Sequence, residues 1–273
     1  MNKTAFLLTL STCCALAADP AQKKPEKPFT PGGKWRQGDM QRPRPRVISP
    51  PGASTDQTPG QAPSDAIQLL NGKDMAAWKR DPKKEDAPGT PDTVPWKVSP
   101  EFVEIVPKSG SIRTRESFKG DIQVHIEWRT PSEVVGKSQG RGNSGVFIGG
   151  FPEIQVLDSW QNDTYPDGQA AGLYNNYPPM VNASRKPGEW QTYDIIAERA
   201  RKDASGTVIQ KARLSVIHNG VVVQWGREFD SSAQEGDLGL QDHHNPIRYR
   251  NIWIRPINLT DPDSEGTSPP GQK

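Results

Sequence analysis

The run from Ile122 to Arg129 limits what this chain can fold into more than any other stretch. Ile122, Val124, Ile126 and Trp128 alternate with Gln123, His125, Glu127 and Arg129. That period of two makes a strand apolar on one face and polar on the other. Asn219-Gly220 sits between the apolar runs Ala212–Ile217 and Val221–Trp225, and Asn-Gly in such a setting marks a tight hairpin. Tyr193, Ile195 and Ala197 alternate, less cleanly, with Thr192, Asp194 and Ile196. Ile247–Ile257 reads as another long strand, with Arg250, Ile252 and Ile254 on one face and Asn251, Trp253 and Arg255 on the other. No amphipathic helix of useful length is evident, and no repeat. Many strands with turn residues between them predict an all-β domain, a sandwich of two antiparallel sheets.

The chemistry is expected to gather around Asn143–Trp160. Two strand-like runs there, Ser144–Ile148 and Glu153–Leu157, are joined by the turn Gly149-Gly150-Phe151-Pro152. Strict alternation places Glu153, Gln155 and Leu157 on one face and Ile154, Val156 and Asp158 on the other. A β-bulge near Val156–Leu157 would bring Asp158 round to Glu153 and Gln155.

The ends of the chain have a different character. Hydrophobic residues make up only 33% of the 273 positions, and 27 are proline, so the folded part is expected to be one domain. Residues 1–18 read as an export signal: Lys3, the apolar run Ala5–Leu10, and a cleavage site at Ala15-Leu16-Ala17. Cleavage there removes both cysteines and predicts a secreted or periplasmic protein, in preference to a lipoprotein anchored at Cys13. Residues 19–64 are Pro-, Gln-, Lys- and Gly-rich and predict a loose tether, residues 65–259 the domain, and 260–273 a loose tail. A net charge of +2 offers no field for nucleic acid, and no further apolar run is long enough to span a membrane.

Within the domain, Glu153 and Asp158 are a carboxylate pair suited to acid–base work on a sugar. His243 stands beside His244 at the end of a probable strand, and an imidazole there could give and take a proton. His125, Glu127 and Arg129 are expected to line the same sheet face, with Arg129 holding a carboxylate or substrate oxygen. Trp160, Tyr165, Tyr174 and Tyr177 lie in a long segment with Asn175, Asn176 and Asn182, a mixture suited to the apolar face and hydroxyl rim of a sugar. Glu153 and Asp158 could hold a hard divalent cation, but two carboxylates are too few to define such a site, and no cofactor is assigned. Phosphate-loop, dinucleotide, serine-elbow and zincin motifs are absent, which disfavours those chemistries.

Several motifs in order resemble the DUF1080 family, also called the 3-keto-disaccharide hydrolase domain. They are Leu69-Leu70-Asn71-Gly72-Lys73-Asp74 with Trp78, Asn143-Ser144-Gly145-Val146-Phe147, and Glu153-Ile154-Gln155-Val156-Leu157-Asp158. Pro187-Gly188-Glu189-Trp190, Asn219-Gly220, Leu240-Gln241-Asp242-His243 and Arg250-Asn251-Ile252-Trp253 follow. The resemblance implies a concanavalin-like jelly roll and cleavage of 3-keto-glycosides by C2 proton abstraction, elimination and hydration. It implies Glu153 or His243 as base, Asp158 as partner or acid, and Arg129, Asn143 and Gln241 as donors. Ser144, Gln155, Glu127 and Tyr174 complete the expected carbohydrate contacts. One departure stands out: the family usually has glycine where this chain has His244. A carbohydrate-binding module without catalysis and a two-carboxylate glycoside hydrolase are the alternatives.

Overall fold

The computed structural model describes residues 26–31, 33–70, 74–83 and 86–259. The expected export signal at 1–18 and tail at 260–273 lie outside them. The chain divides into two compact units, residues 1–44 with 267–273, and residues 45–266. In the first, Phe29 and Arg36 form an isolated bridge, with the Arg36 guanidinium 4.4 Å from the Phe29 ring.

The second unit is nearly all strand. In chain order it holds β1 (Ile67–Leu70), β2 (Trp78–Arg80), β3 (Lys97–Val98), β4 (Val103–Glu104), β5 (Ile112–Thr114), β6 (Phe118–Lys119) and β7 (Asp121–Arg129). Then come β8 (Ser144–Ile148), β9 (Ile154–Val156), β10 (Gln191–Glu198), β11 (Arg201–Lys202) and β12 (Val208–Gln210). β13 (Ala212–His218), β14 (Val221–Phe229), β15 (Glu235–Gly236), β16 (Leu238–Leu240) and β17 (Arg248–Ile257) complete it. The larger sheet runs β14-β13-β10-β7-β17-β4-β3 with β1 also on β17, and the smaller runs β2-β5-β16-β8-β9. All pairings are antiparallel, and the two sheets pack as a concanavalin-like jelly-roll sandwich.

Alternation builds the core. Ile122, Val124, Ile126 and Trp128 of β7 and Tyr193, Ile195 and Ala197 of β10 turn inward from the larger sheet. Ile112, Val146, Ile148, Ile154, Val156, Leu238 and Leu240 meet them from the smaller one. Each Val, Leu or Ile among them contributes about 1.5–3 kcal/mol by leaving water. Two hydroxyls bridge the layers: Tyr193 donates to the Gln155 carbonyl at 2.7 Å, and Tyr249 to Ser144 Oγ at 2.7 Å. The Asn219-Gly220 turn forms as expected, with both residues at positive φ (52° and 81°).

Two local departures from the sequence reading matter for the surface. The bulge expected at Val156–Leu157 is not there: Ser144–Val146 pairs in regular register with Ile154–Val156, and β9 stops at Val156. A bulge lies instead in β17, where Arg250 pairs with Glu127 and Trp253 with His125, leaving two residues opposite Ile126. Asn251, at φ 46°, absorbs the extra residue. Arg250, Asn251 and Trp253 thereby all reach the outer face, whereas a regular strand divides them.

Residues 45–64, inside the stretch expected to be a tether, form no strand but are held against the domain. Arg250 donates to the carbonyls of Thr55 (2.5 Å) and Asp56 (3.2 Å), and Ser54 Oγ donates to Glu127. Polar anchoring replaces the apolar burial that this segment lacks.

Candidate active site

Pairing registers fix what shares the outer face of the smaller sheet. Gly145 of β8 pairs with Gln155 of β9, and the Gln241 backbone N–H donates to the Gly145 carbonyl at 2.9 Å. One position along, Gly239 of β16 lies between Phe147 and Arg113. Since residues two apart point the same way, Glu153, Gln155, Gly145, Phe147, Gly239 and Gln241 share this face.

Glu153 is its distinctive group. Its carboxyl makes no hydrogen bond or ion pair among the described residues, and burial pushes its pKa up from 4.5 to about 7. It occupies the space a side chain at position 145 would fill, because a Cβ on Gly145 would stand 2.1 Å from Glu153 Oε1. Gly145→Ala is therefore expected to push the carboxylate aside while the sheet still forms. Displacing a reacting group by about 1 Å costs on the order of 10²-fold. We expect kcat to fall by about that factor with little change in Tm, measured by steady-state kinetics and thermal melts.

Around Glu153 the polar groups divide into fixed and available ones. Gln155 is buried and donates to Asn143 Oδ1 at 2.8 Å, while Asn143 Nδ2 donates to the Gln139 carbonyl at 2.6 Å and its backbone N–H to Asn245 Oδ1 at 2.8 Å. Gln139 in turn donates to Thr164 Oγ1 and the Gly168 carbonyl, both at 2.9 Å. The Gln241 amide, by contrast, makes no side-chain hydrogen bond among the described residues, and its Oε1 is buried without a partner. Tyr165 and Tyr174 stand with their hydroxyls 2.6 Å apart. Burial, the Tyr174 contact and the nearby acids Asp167 and Glu153 push the Tyr165 pKa up to about 12. The Tyr174 backbone N–H donates to the Glu153 carbonyl at 2.9 Å, which ties this loop to the strand.

The other expected residues lie elsewhere. Asp158 is buried, ion-paired to Arg141 Nε at 2.6 Å, and accepts from the Trp160 N–H at 3.2 Å. It faces a separate cavity of about 300 Å³ shared with His244; with no bulge to turn it, it does not join Glu153. Ser144 faces the core, donating to the Gln241 carbonyl at 2.5 Å, out of reach of a ligand on the outer face. His243 is exposed in the loop two residues after Gln241, its ring 6.0 Å from that of His244. His244 has φ 65°, the left-handed region that favours glycine, which explains why the family's glycine fits this position.

Glu127 and Arg129 belong to β7 of the larger sheet, on its outer face, and are not beside Glu153. Glu127 is ion-paired to Arg250 Nε at 2.7 Å and accepts from Asn251 Nδ2 at 2.7 Å. Burial alone would raise its pKa; hydrogen bonds from His125, Asn251 and Ser54 and the Arg250 charge hold it down at about 2. His125 bridges Asp194 (2.7 Å) and Glu127 (3.5 Å) and stacks on Trp253. Burial opposes its charge, but the two carboxylates raise its pKa to about 9. Arg129 lies 4.6 Å from the Trp190 ring. This is an ion lattice built across strands. Among the described residues no three His, Cys, Asp or Glu side chains converge as a metal site, and no helix is long and apolar enough to cross a membrane.

A sequence profile for the 3-keto-alpha-glucoside-1,2-lyase-like domain matches residues 65–255. The chain belongs to this family. The 3-keto-disaccharide hydrolase of Bacteroides thetaiotaomicron is 23% identical over 262 residues, 72% of this chain and 81% of that protein. The crystal structure of a candidate glycosyl hydrolase from Parabacteroides distasonis is 36% identical, with a TM-score of 0.70, covering 84% of this chain and 100% of that one. A second structure from that organism, 20% identical with a TM-score of 0.50 over 71% of this chain and 94% of its own, shares the fold.

Gly145, Gln139 and Arg141 were missed as site residues by sequence reasoning. Gly145 was legible in principle, since Asn-Ser-Gly opens the strand opposite Glu153. Nothing local marks Arg141, whose partner is 17 residues away.

Proposed function

We propose that this chain cleaves 3-keto-glycosides, with Glu153 as the base that removes the C2 proton. The observation that supports this most is a solitary, half-buried carboxyl poised near neutral pH on an open sheet face. Family membership and the named activity of the Bacteroides relative point to the same substrate class.

The ketone at C3 acidifies the C2 hydrogen. Glu153 takes that proton, and the electron pair moves onto the C3 oxygen, where the Gln241 amide donates a hydrogen bond. The enolate then expels the C1 substituent, forming a C1–C2 double bond. Tyr165, which stays protonated across neutral pH, donates to the departing oxygen. Water adds its hydroxyl to C1 and a proton to C2, so the sum is hydrolysis. Gln155, Asn143 and Gln139 hold the face in place. Asp158, engaged by Arg141, clamps the neighbouring loop, which leaves the two-carboxylate hydrolase reading without its second carboxylate on this face.

Incubation in D2O with a 3-keto-glucoside and its unoxidised parent tests the reading. Cleavage of the ketone alone, with deuterium at C2 of the early product, is expected. Cleavage of the parent, or product without deuterium at C2, would replace it with direct hydrolysis.

A further inference from the structure

The outer face around Glu153 continues across the smaller sheet into a hollow of about 400 Å³. One row of the ladder crosses its floor: Arg113 of β5, Gly239 of β16 and Phe147 of β8 are paired neighbours. Continuing the register past Val146–Ile154 puts Glu153 opposite Phe147, one strand spacing of about 4.8 Å further on. Phe147 is 37% exposed, unusual for a large apolar side chain in mid-sheet. Gly239 beside it has no side chain, and a Cβ there would stand 3.4 Å from Phe147 Cβ. The result is an uncovered aromatic surface next to a bare patch of backbone.

The wall of the hollow is polar. Arg113 is held between Asp81, in direct ion contact, and Asp237 at 3.2 Å, and all three side chains remain partly exposed. Gln241 closes the side towards Gly145. Two carboxylates and one guanidinium give this rim one net negative charge. It offers donors and acceptors to hydroxyls and repels an anion.

We infer that this hollow seats the leaving group of the substrate, and that the group is an uncharged sugar ring stacked on Phe147 with its hydroxyls on Arg113, Asp237 and Gln241. The inference rests on Glu153 acting at the neighbouring ring. An acidic sugar is disfavoured by the carboxylates, and a small alkyl group leaves the aromatic surface unused.

The test compares three substrates with one 3-keto-glucosyl half: leaving groups of methanol, a neutral hexose and a uronic acid. In Phe147→Ala, KM for the hexose substrate is expected to rise about tenfold more than KM for the methyl one. In Asp237→Asn, kcat/KM for the uronic acid substrate is expected to gain about fivefold relative to the hexose one. Equal effects on all three substrates would overturn the subsite while leaving the Glu153 reading intact. Should wild type turn over none of them, the Glu153 reading fails. Calorimetry with the unoxidised disaccharide then decides the hollow. Binding weakened by Phe147→Ala supports it; binding unaffected by that change, or absent, overturns it.

Discussion

Glu153→Gln is expected to lower kcat on a 3-keto-glucoside by about 10²–10⁴-fold, the range a positioned acid–base group contributes. The amide keeps the shape of the carboxyl over Gly145 but cannot take a proton. Wild-type kcat/KM is expected to climb with pH and level off above about 7 as the base ionises. In the variant that limb should vanish. His243→Ala, at an exposed loop position, should have the smaller effect. Stability gives an independent reading. The folded pKa of Glu153 lies above its usual 4.5, so its contribution is fully present below about pH 4.5 and is lost as pH rises through 7. Glutamine escapes this loss. The variant should melt above wild type at pH 8, with the gap closing towards pH 4. Turnover equal to wild type would remove Glu153 from the reaction.

Arg250→Met is the change expected to cost the fold most. Glu127 and Arg250 are 1% and 3% exposed, and Arg250 also lies 4.0 Å from the Trp190 ring and carries the Thr55 and Asp56 carbonyls. Removing the guanidinium leaves a buried carboxylate without its nearer charge partner, with only His125 at 3.5 Å remaining, a loss of about 3–5 kcal/mol. At about 2–4 °C per kcal/mol for a domain of this size, Tm should fall by roughly 6–20 °C. Adding Glu127→Leu should restore much of it, because two apolar side chains can replace a buried ion pair. The sign with pH is opposite to that of Glu153. With its pKa depressed to about 2, Glu127 contributes stability that is present above 4.5 and lost as pH falls through 2. A double variant no more stable than Arg250→Met would show that packing on Trp190, not charge, is what matters.

What could be read from the sequence was whatever has a short period. Ile122–Trp128 announced β7 and its inward face, Asn219-Gly220 announced the β13–β14 hairpin, and both stand in the fold. Glu153 and Gln155 were placed on one face because they are two positions apart. Asp158 defeated the same reasoning. Its position depends on where β9 ends and on an arginine reaching over from another loop, neither of which has a periodic trace. The division of polar residues between two sheets was equally hidden. Alternation says that Glu127 and Glu153 face outward, but only strand order says from which layer. The β17 bulge was missed because a single asparagine in the left-handed region is enough to make it.

The family profile begins at residue 65, yet the folded unit begins near Pro45. The twenty residues between look like dispensable padding, poor in aliphatic side chains. They nonetheless supply Ser54, Thr55 and Asp56 to groups on the sheet beneath. A fragment cut where the family profile starts would expose Glu127 and Arg250 to water and strip two acceptors from the arginine. The edge of the family profile and the edge of the folded unit fall at different places in this molecule, and the second is the one an expression plasmid must respect.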